Sequence, residues 1–303
     1  MRLPSLLALA AAALLLIGGC TTRAVDASAG PIGSTRYSLD SGAISREYRV
    51  YRPAGLPDGA PLVVVLHGGY GSAAQAERSY GWNDRADTDG FVVAYPDGLA
   101  RAWNTEGGDC CGPAQRRSVD DVAFITAMLD RIGHDYGIDP ERVYATGMSN
   151  GAMMTYTLAC RTDRFAALAP VAGTQLDDCP GPAPVSLLHI HGSADPVVRY
   201  DGSPGDNVGT VIDGPPIPAL NQQWLATDGC PTPTITTTAT VTTSRADCPG
   251  GREVTLITID GAGHQWPGTD HTPPRERLLH TDPSSSALDA TATIAEFFAR
   301  HHR

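Results

Sequence analysis

The chain has 303 residues, 42% of them hydrophobic, which is enough for a large core and argues against disorder. Its formal charge of −11 excludes the usual electrostatic footprint of a nucleic-acid partner and offers no attraction to anionic lipid headgroups. No basic stripe, P-loop or dinucleotide fingerprint is present. The first element in chain order is a targeting segment: Arg2 makes a short positive start, and the apolar run Leu6–Ile17 is too short for a comfortable membrane span. It ends in Ile17-Gly18-Gly19-Cys20, which resembles a bacterial lipobox, with Cys20 as the lipidation site. Residues 1–19 then read as a lipoprotein signal peptide, and 20–34 as the lipidated Cys and a flexible tether with a reach of roughly 20 Å. An acylated Cys20 predicts attachment to a membrane through its lipid, in the cell envelope, or secretion if it is not acylated.

Residues 35–303 read as one catalytic domain. Residues 35–53 predict two strands around a Ser-Gly turn. Continuous apolar runs follow at Leu62–Leu66, Phe91–Tyr95, Val143–Thr146, Ala167–Ala172, Val185–Ile190 and Val254–Ile259. Runs of this kind suit strands buried on both faces. Helical patterns lie between them. Val122, Ile125, Leu129, Ile132 and Tyr136 recur at spacings of three and four. A second helix is expected over Asn150–Ala159. A last one is expected after Ser284–Ser286 as N-caps, including Leu288, Ile294, Phe297 and Phe298. The alternation predicts a doubly wound, mostly parallel α/β sheet with helices on both faces. The Thr-rich stretch Thr232–Thr243 reads as an edge strand or hairpin arm. The Gly/Pro-rich stretches Tyr200–Pro218 and Trp266–Ser286 are expected to rim a pocket.

Six cysteines remain after Cys20, an even number that suggests disulfides in an exported protein. Cys230 and Cys248 flank the Thr-rich segment and make the expected pair. Adjacent Cys110 and Cys111 do not suit disulfide geometry with each other, so the expectation is that each reaches elsewhere, to Cys160 and Cys179. A metal site is disfavoured, since no C-x-x-C is present and His189 and His191 have no third ligand at useful spacing. Those two alternate on a predicted strand and read as core residues.

The chemistry centres on Gly147-Met148-Ser149-Asn150-Gly151. A G-x-S-x-G sequence is weak evidence alone, but here it follows a strand and precedes a helix, the context of a nucleophile elbow. Serine needs a base to take its proton. His264, in Gly261-Ala262-Gly263-His264, follows the last strand and precedes the last helix, which suits that base. Asp195 lies just past the strand Val185–Ile190, where α/β sites are built, and would hold the His tautomer. The order Ser149, Asp195, His264 matches the order expected for the fold. An oxyanion needs backbone N–H groups already aimed at it. Asn150 is the first expected donor. Gly69, in His67-Gly68-Gly69-Tyr70, is the second, with Tyr70 next in line.

These residues sit in long blocks: His67-Gly68-Gly69, Trp103-Asn104 with Cys110-Cys111-Gly112, Val119-Asp120-Asp121-Val122, Tyr144 to Met154, His191 to Val198, and Gly263 to Gly268. With them the chain resembles the polyhydroxybutyrate-depolymerase-like and feruloyl-esterase-like branch of the α/β-hydrolases, which overlaps carbohydrate esterase family one. The resemblance runs from about residue 36 to the end. It implies carboxylic-ester hydrolysis through an acyl-enzyme on Ser149, with triad roles for Asp195 and His264 and no cofactor or metal. The implied partner is an ester substrate carrying a hydroxyacyl, feruloyl or acetyl group. Trp103 and Trp266, with Tyr70, are expected to line the acyl pocket. A serine peptidase on the same fold, and an inactive surface lipoprotein with a binding role, are the competing readings. No feature of the sequence sets an oligomeric state.

Overall fold

The structure is a computed structural model in which residues 30–107, 112–179, 181–205, 212–269 and 282–303 are described. The predicted signal peptide, Cys20, Cys110 and Cys111 lie outside those residues. In chain order the elements are β1 (Gly33–Ser41), β2 (Ile44–Arg52), β3 (Ala60–Leu66), α1 (Ala73–Ser79), α2 (Trp82–Asp89), β4 (Val92–Pro96), α3 (Pro113–Arg116), α4 (Asp121–Tyr136) and β5 (Ile138–Met148). They continue with α5 (Asn150–Arg161), β6 (Ala167–Val171), β7 (Ser186–Gly192), α6 (Ile217–Thr227), β8 (Thr234–Thr238), β9 (Val241–Cys248), β10 (Arg252–Ile259) and α7 (Ala290–Phe298).

The described strands form one sheet in the order β1-β2-β4-β3-β5-β6-β7-β10-β9-β8. Its central six strands, β4 to β10 in that order, are parallel. The β1–β2 and β8–β9 hairpins close the two sides as antiparallel pairs. Each continuous apolar run became a central strand because successive side chains serve two different cores. Leu62, Val64 and Leu66 face a core built with α4, α5 and α6. Val63 and Val65 face a second core built with α1, α2 and α7. This is the α/β-hydrolase fold, with helices on both faces of a mostly parallel sheet.

The hairpin predicted over residues 35–53 is β1 and β2, and β1 begins two residues earlier, at Gly33, where the sequence suggested tether. The Thr-rich segment is the exposed edge strand β8 and its turn into β9. Cys230 and Cys248 are bonded as expected. The other expected pairing is corrected: Cys160 bonds Cys179, with their Cα atoms 5.0 Å apart. The last helix also starts later than expected. Its N-cap is Asp289, whose carboxylate accepts the Ala292 N–H. Ser284 is no cap, because its hydroxyl donates to the Trp266 carbonyl. Leu288 therefore lies before the helix, packed on the second core. No helix among the described residues is long and apolar enough to cross a membrane.

Candidate active site

The site starts from a crowded junction of β3, β5 and α5. A Cβ added to Gly147 would fall 2.6 Å from the Gly151 backbone, and one added to Gly151 would fall 2.4 Å from the Leu66 carbonyl oxygen. Only glycine lets three backbones meet so closely. Between them the chain reverses at Ser149, held at φ 56° and ψ −120°. That is a strained conformation for a residue with a side chain. The Ser149 N–H donates to the Val171 carbonyl of β6 at 3.0 Å, which ties the turn to the sheet. Met148 and Asn150 are buried while Ser149 stays partly exposed.

Asp195 follows β7. The Ala194 N–H donates to Ala262 O at 3.0 Å, so the Asp195 loop leans on the loop after β10. That loop carries His264. The His264 Nδ1–H donates to Asp195 Oδ2 at 2.8 Å, and both side chains are almost fully buried. The other carboxylate oxygen, Oδ1, accepts the N–H groups of Val197 and Val198, each at 2.8 Å. Burial works against the Asp195 charge. The His264 hydrogen bond and the Val198 amide outweigh it and hold the carboxyl below its ordinary range. An ionised Asp195 only accepts, so Nδ1 carries the His264 proton and Nε2 keeps a lone pair. The His264 backbone is clasped by Asp282: its N–H donates to Asp282 Oδ2 at 2.7 Å, and the Asp282 N–H donates to His264 O at 2.8 Å. Ser149, Asp195 and His264 follow β5, β7 and β10, so parallel topology brings all three to the same edge of the sheet.

The His67-Gly68-Gly69 turn packs on the elbow: a Cβ on Gly68 would lie 3.5 Å from Ser149 Cβ, and one on Gly69 3.8 Å from Asn150 Cβ. The Tyr70 N–H is already committed, donating to Arg101 O at 2.8 Å, and Tyr70 is 56% exposed. His67 fastens the turn. Its Nδ1–H donates to Gly68 O, and its Nε2 accepts the Gly98 N–H. Burial pushes the His67 imidazolium down to about 4, which keeps the ring neutral and able to accept. The Asn150 carboxamide grips the Trp103 backbone at both its N–H and its carbonyl, at 2.7 and 3.2 Å. The next residue, Asn104, gives its N–H to Asp121 Oδ2, and Asp121 Oδ1 accepts from Arg46 at 2.6 Å. The loop beside the elbow is thereby pinned to a buried ion pair.

Two expected pocket residues are framework instead. Trp103 is fully buried in the first core, and its ring N–H donates to His67 O. Trp266 is 4% exposed, stacked on Tyr80 with ring centroids 4.4 Å apart, and donates to Thr291 Oγ. Sequence reasoning also missed Arg46 and Asp282. Neither carries a local signal, because each acts on a residue far along the chain or across a loop. Asp121 stood in a recognised block, and its two buried partners now explain it.

Residues 46–204 match the sequence profile described as Esterase PHB depolymerase. The chain belongs to that esterase family. It is 34% identical over 266 residues to NocK of Nocardia uniformis subsp. tsuyamanensis, a protein named as an esterase, covering 74% of this chain and 71% of that one. It is 33% identical over 222 residues to feruloyl esterase B of Piromyces equi, covering 68% of this chain but only 39% of the relative. With poly(3-hydroxyalkanoate) depolymerase C of Paucimonas lemoignei it shares 39% identity over 123 residues, 40% of this chain and 30% of the other. The esterase is also similar in fold to the acetyl xylan esterase from Aspergillus awamori, with a TM-score of 0.55 at 16% identity over 81% of this chain and 98% of that one. It resembles the dienelactone hydrolase-like enzyme P91 from metagenomic libraries as well, with a TM-score of 0.59 at 17% identity, covering 89% and 100%. The protein is therefore a carboxylic ester hydrolase of the α/β-hydrolase fold.

Proposed function

We propose that this esterase works through an acyl-enzyme on Ser149, with His264 as base and Asp195 as its orienting acid. The observation that carries the reading is the buried Asp195–His264 pair at 2.8 Å, which engages Nδ1 and leaves Nε2 for the substrate side, on the sheet edge where the strained Ser149 emerges. As Ser149 Oγ attacks the ester carbonyl carbon, its proton passes to His264 Nε2. The carbonyl oxygen becomes anionic and faces the N–H groups of Gly69 and Asn150. Collapse breaks the bond to the alcohol oxygen, which leaves with the proton from His264. Water then attacks the acyl carbon, gives its proton to His264, and releases the acid while Ser149 is reprotonated. Gly69 is preferred to Tyr70 as second donor because the Tyr70 N–H is spent on Arg101.

The substrate class we infer is a hydroxyacyl, feruloyl or acetyl ester outside the cytoplasm, by similarity to the named relatives. The Cys160–Cys179 and Cys230–Cys248 bonds support an oxidising compartment. Cys20 is proposed as the lipid anchor. Loss of membrane association in Cys20→Ser, with activity kept, is the expected result.

The test is hydrolysis of a panel running from p-nitrophenyl acetate through hydroxybutyrate oligomers to methyl ferulate. Wild type should turn over at least one ester, and Ser149→Ala should fall by several orders of magnitude. If both folded proteins are inert on every ester, a binding role replaces the serine mechanism. If anilides outrun esters, the peptidase reading replaces it.

A further inference from the structure

Behind Asp195 lies a buried chain of polar rings that ester hydrolysis as described does not use. Tyr156, on the helix that begins at the elbow, places its hydroxyl 2.8 Å from His189 Nδ1. His189 Nε2 lies 3.0 Å from His191 Nδ1, and His191 Nε2 lies 2.8 Å from the Val198 carbonyl. All three residues are 1% exposed. The direction of every bond follows from its last member. A carbonyl only accepts, so His191 carries its proton on Nε2 and accepts at Nδ1. His189 must then donate from Nε2 and accept at Nδ1 from the Tyr156 hydroxyl. Each ring is neutral and each is fixed in one tautomer.

The end of this chain is the Asp195 loop. Val198 is gripped at both its polar backbone groups: its carbonyl by His191, its N–H by Asp195 Oδ1. His191 Nε2 also stands 3.6 Å from Asp195 Oδ2, the oxygen that serves His264. That is too far for a hydrogen bond. It is close enough that a charged His191 would compete for the carboxylate. Burial depresses both imidazoliums, so neither ring supplies that competing charge.

We propose that His191 is a positioning residue for the triad acid, with His189 and Tyr156 holding its tautomer. It acts by aiming the Val197 and Val198 amides at one carboxylate oxygen, so that the other is reserved for His264. This rests on the triad reading above. The same chain joins the helix carrying the nucleophile to the loop carrying the acid, so it fixes their relative placement.

The experiment is a double-mutant cycle on the full chain with p-nitrophenyl acetate, reading kcat and KM separately, with thermal unfolding of each variant. His191→Ala should lower kcat about 10- to 100-fold at nearly constant KM, the scale of a small misplacement at the reacting groups. His191→Gln keeps an N–H for Val198 and an oxygen for His189, and should recover most of that loss. Tyr156→Phe, the mildest change, should lower kcat less than His191→Ala. In an Asp195→Asn background, itself about 10⁴-fold slower, His191→Ala should add almost nothing. If His191→Ala is folded with unchanged kcat, or adds its full factor to Asp195→Asn, the positioning role is overturned. If Asp195→Asn alone leaves kcat unchanged, the triad reading itself has failed, which is a different result.

Discussion

Replacing Arg46 by Met should expose how strongly the loop beside the elbow depends on one buried ion pair. The Arg46 and Asp121 side chains are 2% and 0% exposed, and they meet at 2.6 Å. The Arg46 guanidinium also lies 4.1 Å from the centroid of the Phe124 ring. Methionine keeps apolar contact with that ring but leaves Asp121 as an unpaired buried carboxylate. Breaking such a pair from one side costs about 3–5 kcal/mol. For a chain of this size that corresponds to a fall in Tm of roughly 10 °C. The cost should depend on pH in a stated direction. Burial already raises the Asp121 carboxyl even with Arg46 beside it. Removing the cation raises it further. A group whose folded value lies above its unfolded value takes up its proton in the native state first, so stability is regained as pH falls. Urea unfolding at pH 8 and pH 5 measures this. The gap between wild type and Arg46→Met should be several kcal/mol at pH 8 and smaller at pH 5. Arg46→Met/Asp121→Asn should recover much of the loss, because both charges are then gone while a side-chain oxygen still accepts the Asn104 N–H. A gap below about 1 kcal/mol, or one equal at the two pH values, would refute the reasoning.

Further expectations follow from other parts of the site. His67 stays neutral because its folded value is about 4. The unfolded ring titrates at its ordinary value of about 6.5, so this stability is present above that pH and is lost as pH falls toward 4. His67 contributes to that loss, so a plot of unfolding free energy against pH should be shallower over this window for His67→Gln. Gly151→Ala should destabilise by about 3 kcal/mol or more and lower the yield of folded protein, since its Cβ would meet Leu66 O at 2.4 Å. Removing the Cys160–Cys179 bond as a Cys160→Ala/Cys179→Ala variant should cost about 3 kcal/mol in urea unfolding, as expected for a closed loop of 19 residues.

The parts of the fold legible in the sequence are those set by local periodicity. The apolar runs around Val64 and Ile190 are continuous because both faces of those strands are buried, and the Gly-flanked Ser149 sits where strand gives way to helix. What escaped was set by distant partners. Ser284 has the look of an N-cap, but the Trp266 carbonyl claims its hydroxyl and Asp289 takes the capping role. An adjacent Cys-Cys suggests partners at Cys160 and Cys179, but those two bond each other, brought together by α5 and the loop after β6. Trp103 and Trp266 suit pocket walls by their place in the sequence, since Trp can bury an acyl group. Their ring N–H groups instead satisfy the His67 carbonyl and the Thr291 hydroxyl. His189 and His191 alternate like core residues, and only the fold reveals that Tyr156 and Val198 bracket them.

The most direct test of the central claim is to trap the intermediate. Enzyme mixed briefly with p-nitrophenyl acetate, quenched in acid, digested with trypsin and analysed by mass spectrometry should carry one acetyl group on the peptide spanning residues 143–161, at Ser149. Ser149→Ala, folded and treated identically, should carry none. An acetyl group on another residue, or a Ser149→Ala protein that still hydrolyses the ester at the wild-type rate, would contradict the account.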